Sequence, residues 1–369
     1  MPVKLHSTSK YPTSLIVRGA DQLGVELARS LLEQGGYVIM VDYERSVTQE
    51  LVDLLSEYKL FTLIDFTSLT TLEDDLRRLD YVFYLQHKSH DLRERISSQE
   101  FLQASNYLDS ILDLTTKFEA KFLLTTSIRA HQLTMSGEDA DISSGFDTPH
   151  SIYTDVEIQR YSEGLVSEYQ EKVGIDSRIV RLGELLGKGM NVAANSKLVE
   201  LIHEAIRGEN LHLPGDGLDA DYYIHYLDAA YGLLKAQFSM NTRGKTFTLA
   251  NDEEVTLLTI AYKLLEIEPA AQDIVFDQQD NELPPIKLYK PAPNLNTIGW
   301  RPRVSLERSL AQSVDYLRSE LDRSGDDPGL AGPDEDSEQV QPRRGGFLGM
   351  LRDFFLSPNS LGRILLNRR

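Results

Sequence analysis

Apolar and polar positions along this chain fall into alternating short and long blocks. Leu15, Ile16 and Val17 form a brief apolar run, as expected of a strand buried on both faces. Helical spacing follows at Leu23, Leu27, Leu31 and Leu32, and Gly35 and Gly36 predict its end at a left-handed cap. Tyr37 to Val41 reads as a second strand. The alternation then repeats, with helices near 48–58, 69–79, 100–118 and 152–173 and strands at 60–64, 80–85, 121–127 and 177–182. Such a rhythm predicts an α/β fold, a Rossmann-like doubly wound parallel sheet. Beyond residue 182 the elements shorten: helices at 197–207, 227–238, 256–265 and 305–321, a turn at 214–217, a strand at 246–249 and a Pro-rich loop at 284–293. This part reads as a smaller C-terminal lobe capping the sheet.

Four segments follow from this reading: a dinucleotide-binding domain at 11–182, the lobe at 183–322 partly interleaved with the sheet, an acidic linker at 323–342 and a basic amphipathic tail at 343–369. Residues 324–338 carry six acids and no base, as a solvated linker does. The tail carries six arginines and one acid among Phe, Leu, Met and Ile, and Pro358 splits it. It suits an anionic membrane surface, an acidic partner, the chain's own acidic body, or no fixed structure.

Charge and composition narrow the function. At 369 residues with 41% hydrophobic positions the chain can hold a large core, and its net charge of −19 argues against general nucleic-acid binding. The absence of cysteine excludes disulfides, thiolate zinc sites and thiol nucleophiles. His87, His131 and His225 are scattered without metal-ligand spacing, so no metal is expected. The first residues are polar and no apolar run reaches the length of a membrane span, which suits a soluble cytoplasmic protein, possible tail contacts aside.

The candidate chemistry begins at Gly19-Ala-Asp-Gln-Leu-Gly24, between the first strand and the first helix. Glycines there let a pyrophosphate approach backbone N–H groups at the positive helix end. Asp42, at the end of the second strand, suits the two hydroxyls of an adenosine ribose and would repel a 2′-phosphate, favouring NAD over NADP. The alternative is a plain strand–helix–strand unit whose glycines only permit close packing. The full fingerprint has three glycines; here the spacing is compressed and Asp21 and Gln22 fill the turn.

The ordered set of segments carries a resemblance. GADQLG with Asp42, LIDFTS at 63–68, DYVFYLQ at 80–86, KFLLTTS at 121–127, SIYTDVEIQRY at 151–161, RIVRLGELLGKG at 178–189, RGENLHLPGDGLDADYYIHYLD at 207–228 and LNTIGWRPRVSLERSL at 295–310 together resemble an extended short-chain dehydrogenase/reductase of the NAD-dependent nucleotide-sugar epimerase, dehydratase and decarboxylase branch. The resemblance implies NAD held by Gly19, Asp21, Gln22, Leu23, Gly24, Asp42, Asp65, Phe66 and Leu85, a nucleotide-sugar substrate taken by the smaller C-terminal substrate lobe, and a homodimer paired through the helices at 100–118 and 152–173. It implies catalysis by a strand-end hydroxyl, Ser127, and a tyrosine, Tyr153, whose pKa a lysine four residues on would lower. That fourth residue is Glu157. A carboxylate there favours the neutral phenol, the wrong direction for a base. Asp221 likewise stands where an arginine would meet the nucleotide phosphate, and Gln86-His87-Lys88 replace small residues. Two readings follow: an NAD-dependent enzyme on a nucleotide-linked sugar with a degenerate motif, or a catalytically inactive member serving as scaffold or regulatory subunit. Two further Tyr/Lys pairs at the same spacing, Tyr84/Lys88 and Tyr231/Lys235, lie where the architecture has no use for them.

Overall fold

The computed structural model describes residues 10–43, 47, 49–86, 98–128, 130, 150–190, 196–277 and 298–324. The 131–149 loop, His87, Lys88, His131, the Pro-rich segment and everything from residue 325 onward lie outside the described residues.

Strands β1 (Thr13–Val17), β2 (Tyr37–Asp42), β3 (Phe61–Asp65), β4 (Tyr81–Leu85), β5 (Lys121–Ser127) and β6 (Asp176–Leu182) join a later strand, β11 (Lys245–Leu249), in one seven-stranded sheet. The order is β11-β6-β5-β4-β1-β2-β3, and every pairing is parallel. The chain runs outward from β1 to β3, then returns to place β4 beside β1. That reversal opens a crevice at the carboxyl ends of β1 and β4, the station where open α/β sheets take ligands.

Strand alternation divides the core into two layers. Ile16, Val38, Met40, Phe83, Leu85 and Leu123 face one side, with α1 (Gln22–Glu33), α2 (Gln49–Ser56) and the later helices α6 (Lys197–Ile206), α7 (Tyr226–Phe238), α8 (Leu257–Ile267) and α9 (Leu306–Ser324). Leu15, Val17, Ile39, Val41, Tyr84, Phe122 and Leu124 face the other, under α3 (Leu69–Asp75), α4 (Ser98–Lys117) and α5 (His150–Lys172). Both faces of each central strand are thus covered, which is why β1 and β2 read as unbroken apolar runs.

The predicted glycine cap on α1 is a Schellman motif. Gly35 takes φ +78°, Gly36 N–H donates to the Leu31 carbonyl at 3.0 Å and Gly35 N–H to that of Leu32 at 2.9 Å. Helix α3 ends four residues before the expected Leu79. Leu76 is already extended, and Arg78 pairs with Asp80 at 2.7 Å to turn the chain into β4.

The later region adds β7 (Glu184–Leu186), β8 (Leu211–Pro214), β9 (Ala220–Asp221), β10 (Tyr223–His225), β12 (Val255–Thr256) and β13 (Ile274–Asp277), which form three two-stranded ladders. It is tied to the sheet by α7, which packs on α1, and by Trp300. The indole is fully buried and donates to the Asp228 carbonyl at 2.9 Å, while one Asp228 carboxylate oxygen accepts from Arg303 and Val304 N–H, each at 2.8 Å. Gly232 makes room for this anchor: a Cβ there would lie 2.3 Å from Leu249 and 2.9 Å from the Trp300 indole nitrogen.

Two glycines in the helices should respond oppositely to alanine. Gly24→Ala is expected to cost about 3 kcal/mol in urea unfolding, because its Cβ would strike backbone. Gly164→Ala, with open space around it on α5, should stabilise by about 0.8 kcal/mol. A neutral Gly24→Ala would contradict this packing.

Candidate functional site

At the start of α1 the turn and the helix meet backbone to backbone. A Cβ on Gly24 would lie 2.1 Å from the Gly19 carbonyl oxygen, and one on Gly19 would lie 2.7 Å from Ile16. Arg18, just before the turn, takes φ +59°, a left-handed conformation costly for a non-glycine residue. Its N–H donates to the Val41 carbonyl at 2.7 Å, so the chain leaves β1 sharply yet stays tied to β2.

Asp21 and Gln22, which fill the middle of the turn, have structural work of their own. Asp21 is the N-cap of α1, its carboxylate accepting from Gly24 N–H at 2.8 Å. Gln22 donates to Glu26 at 2.8 Å and lies against Gly189 in the loop after β7. Burial raises the Glu26 carboxyl above its ordinary pKa. The first N–H groups of α1, those of Gln22 and Leu23, have no acceptor within the helix, as at any helix start.

Asp42 is buried and braces the same turn. One carboxylate oxygen accepts from Ala20 N–H at 2.7 Å and the other from Tyr43 N–H at 2.8 Å. A carboxylate has about four acceptor positions, so these bonds leave capacity for ribose hydroxyls. Asp65 ends β3 in register with Asp42. The Phe66 ring is buried, with its centroid 4.6 Å from those of Tyr43 and Tyr107. Leu23 and Leu85 are core side chains, so any contact they make with a ligand is through backbone.

Across the crevice, the end of β4 meets the end of β5. Val17 pairs with Tyr84, and Gln86 follows directly after the end of β4. Gln86 N–H donates to Thr125 Oγ1 at 3.0 Å, and its buried Oε1 has no hydrogen-bond partner among the described residues. An unmet buried acceptor costs about 1–3 kcal/mol, which a donor on a bound ligand would relieve.

Polar contacts join β5 to α5. Thr126 donates to Glu163 at 2.7 Å, Glu163 holds Arg181 of β6 through two contacts of 3.1 and 2.7 Å, and Ser127 N–H donates to Gln159 Oε1 at 2.6 Å. Gln159 and Glu163 are buried. Glu157 is not part of this cluster. It lies at the surface and pairs with Arg160 at 2.8 Å, while Arg160 Nε donates to the Ala130 carbonyl. Tyr153 belongs to α5, but its side chain lies outside what the structure describes. Gln159, Glu163 and Arg181 escaped the sequence reading. The available signal was two polar residues four apart on α5, opposite the polar end of an otherwise apolar strand.

The sequence pattern of the NAD dependent epimerase/dehydratase family matches residues 15–249. The chain belongs to this family. Two curated relatives of the epimerase/dehydratase chain are UDP-glucuronic acid decarboxylase 1 of Arabidopsis thaliana, 23% identical over 326 residues (86% of this chain, 72% of that protein), and UDP-glucuronic acid decarboxylase 1 of Danio rerio, 22% identical over 342 residues (90% and 79%). Among solved structures, UDP-glucose 4-epimerase of Thermotoga maritima with UDP-glucose aligns at TM-score 0.67 and 22% identity, covering 84% of this chain and 99% of that one. UDP-glucuronic acid 4-epimerase of Bacillus cereus in complex with UDP-glucuronic acid and NAD aligns at TM-score 0.68 and 18% identity, with the same coverage. At these identities the structural matches establish the fold.

In this epimerase/dehydratase chain the later region closes on the loop after β7. Asp221 lies buried in β9, its carboxylate accepting from Tyr222 N–H at 2.8 Å. His225 is buried at the start of α7. Its Nδ1 accepts from Leu227 N–H at 3.1 Å and its Nε2 faces Gln312 Oε1 at 2.7 Å, which fixes the neutral form with the proton on Nε2. Gly187 at φ +120° lets the loop pass: a Cβ there would lie 2.8 Å from His225 Nε2. Gly187 N–H donates to Ser313 Oγ at 2.9 Å, so α9 holds both sides of this contact. Among the described residues, no helix is long and apolar enough to cross a membrane, and no group of three or more His, Cys, Asp or Glu could hold a metal ion.

Burial lowers the His225 pKa, and a protonated ring would have to give up its bond from Leu227 N–H. The folded pKa is therefore below the unfolded value of about 6.5. This contribution to stability is complete above pH ~6.5 and is lost as pH falls through that value toward the folded pKa. His225→Asn keeps a capping oxygen without the titration. It should reduce the loss of urea stability between pH 7.5 and 5.5, and an unchanged loss would contradict the assignment.

Proposed function

We propose that this chain binds NAD across the crevice between β1 and β4, presents it to a nucleotide-linked sugar, and does not use the tyrosine–lysine proton route implied by its resemblance. The observation that carries this reading is the turn itself. Gly19 lies directly on Gly24 at the start of α1, and Asp42 is bonded to Ala20 N–H. Backbone without side chains at a helix N-terminus fits a diphosphate, and a carboxylate at the end of the neighbouring strand fits a ribose diol. The Gln86 oxygen after β4, unpaired among the described residues, fits a ligand donor.

The residues divide the task. Gln22 and Leu23 N–H would meet the diphosphate, Asp42 and Asp65 the adenosine end, and Ser127 the sugar hydroxyl at the end of β5. Asp21 works against this, since its carboxylate occupies Gly24 N–H, and the expected cost is weaker phosphate binding. When bound, the nicotinamide supplies a hydride acceptor. The partner organisation that fits is a homodimer through α4 and α5, which pack together and expose Leu102 and Tyr161. Substrate chemistry among the named relatives, decarboxylation or epimerisation of UDP-sugars, sets the substrate class.

A second reading is a binding or regulatory member without turnover, with the 343–369 tail as its docking segment. The surface pairing of Glu157 with Arg160 favours it, because a carboxylate stands at the position where the resemblance asks for a lysine.

Titration with NADH, followed by its fluorescence, should saturate below about 1 mM, with NADPH at least ten-fold weaker because of the Asp42 charge. A flat NADH curve contradicts NAD binding. Incubation with UDP- and dTDP-sugars then separates the two readings: product from any of them removes the regulatory one. Product that Tyr153→Phe abolishes would restore the tyrosine route.

A further inference from the structure

Helix α5 reaches the end of β5 along a single line of positions. Glu163 bonds Thr126 and Arg181, and Gln159, one turn earlier, bonds Ser127 N–H. At 3.6 residues per turn, positions four apart lie about 40° from each other around a helix. The same line therefore continues to Asp155. Position 157 lies about 160° around the helix from Gln159, and position 153 about 120°. Exposure agrees: Gln159 is 2% exposed, whereas the Glu157 side chain is 55% exposed and ion-paired to Arg160. The Tyr153/Glu157 pair read from the sequence thus belongs to a different side of α5 from the one bonded to Ser127.

We infer that Gln159, rather than the Tyr153/Glu157 pair, is the α5 position that serves the Ser127 end of the site. Gln159 is a positioning residue. It holds the backbone of Ser127 and fixes the axial register of α5 on β5. An uncharged carboxamide stands at this position, so the ligand there meets neither the attraction of an ammonium nor the repulsion of Glu157. The inference rests on the proposed dinucleotide reading for its ligand but not for its geometry.

Two measurements test it separately. Amide exchange on the full chain, without ligand, reads the geometry: Gln159→Leu should speed exchange at the Ser127 N–H at least ten-fold, and Glu157→Leu should have a smaller effect. Equal effects, or a larger one from Glu157→Leu, overturn the register. NADH titration reads the ligand side. Gln159→Lys should tighten NADH by about five-fold, as expected for one charge several Å from a dinucleotide. Glu157→Lys should give less. A Glu157→Lys gain equal to or above that of Gln159→Lys overturns the inference. If the unmodified chain binds no NADH, the dinucleotide reading fails, while the exchange experiment still decides the register. Should Gln159→Lys not fold, Gln159→Glu replaces it, with NADH weakened about five-fold as the supporting result and unchanged affinity as the contrary one.

Discussion

The structure depends on one close approach, that of the Gly24 backbone to the Gly19 backbone. No side chain fits between them, so the first helix begins directly above the end of the first strand. That contact fixes where α1 lies on the sheet, and α7 then packs against α1 and carries the later region with it. Asp42 reinforces the arrangement from the neighbouring strand by bonding Ala20 N–H. A single buried carboxylate thereby links the carboxyl ends of β1 and β2, and a turn that would otherwise be mobile is held in one shape. Preorganisation of this kind lowers the ordering cost of binding.

The other half of the crevice is held by polar contacts. Glu163 with Arg181 and Thr126, and Gln159 with Ser127, join α5 to two adjacent strands. Apolar packing alone would allow a helix to slide or rotate by small amounts with little change in buried area. Hydrogen bonds at two successive turns do not. Their value lies less in net stability, since desolvation offsets much of the gain, than in selecting one register. The register matters because it decides which α5 residues share a side with Ser127.

Much of the fold was legible in the sequence. All seven strands of the sheet were read from the sequence, the central ones as apolar runs, and α1 with its glycine cap appears almost as expected, because burial on both faces and Schellman geometry leave strong local marks. The strands β7, β8, β9, β10, β12 and β13 did not appear as such. They have two to four residues each, too few for a period to show, and they pair with segments distant in sequence. The site was legible in part. Gly19, Gly24 and Asp42 stand out because their chemistry is local to one strand–helix–strand unit. The α5 contribution was obscured, because a tyrosine at a plausible distance after Ser127 draws attention to positions 153 and 157, while the contact to Ser127 is made by Gln159, visible only once helix and strand are packed together. Asp221 shows the same limit. Its charge suggested conflict with a phosphate, yet its carboxylate is engaged within a buried strand.

The deciding measurement is a crystal structure of the chain grown with NAD. The diphosphate is expected against the first N–H groups of α1, beside Gly24, with the adenosine ribose on Asp42. A dinucleotide bound elsewhere on the chain, or none in that turn, would contradict it.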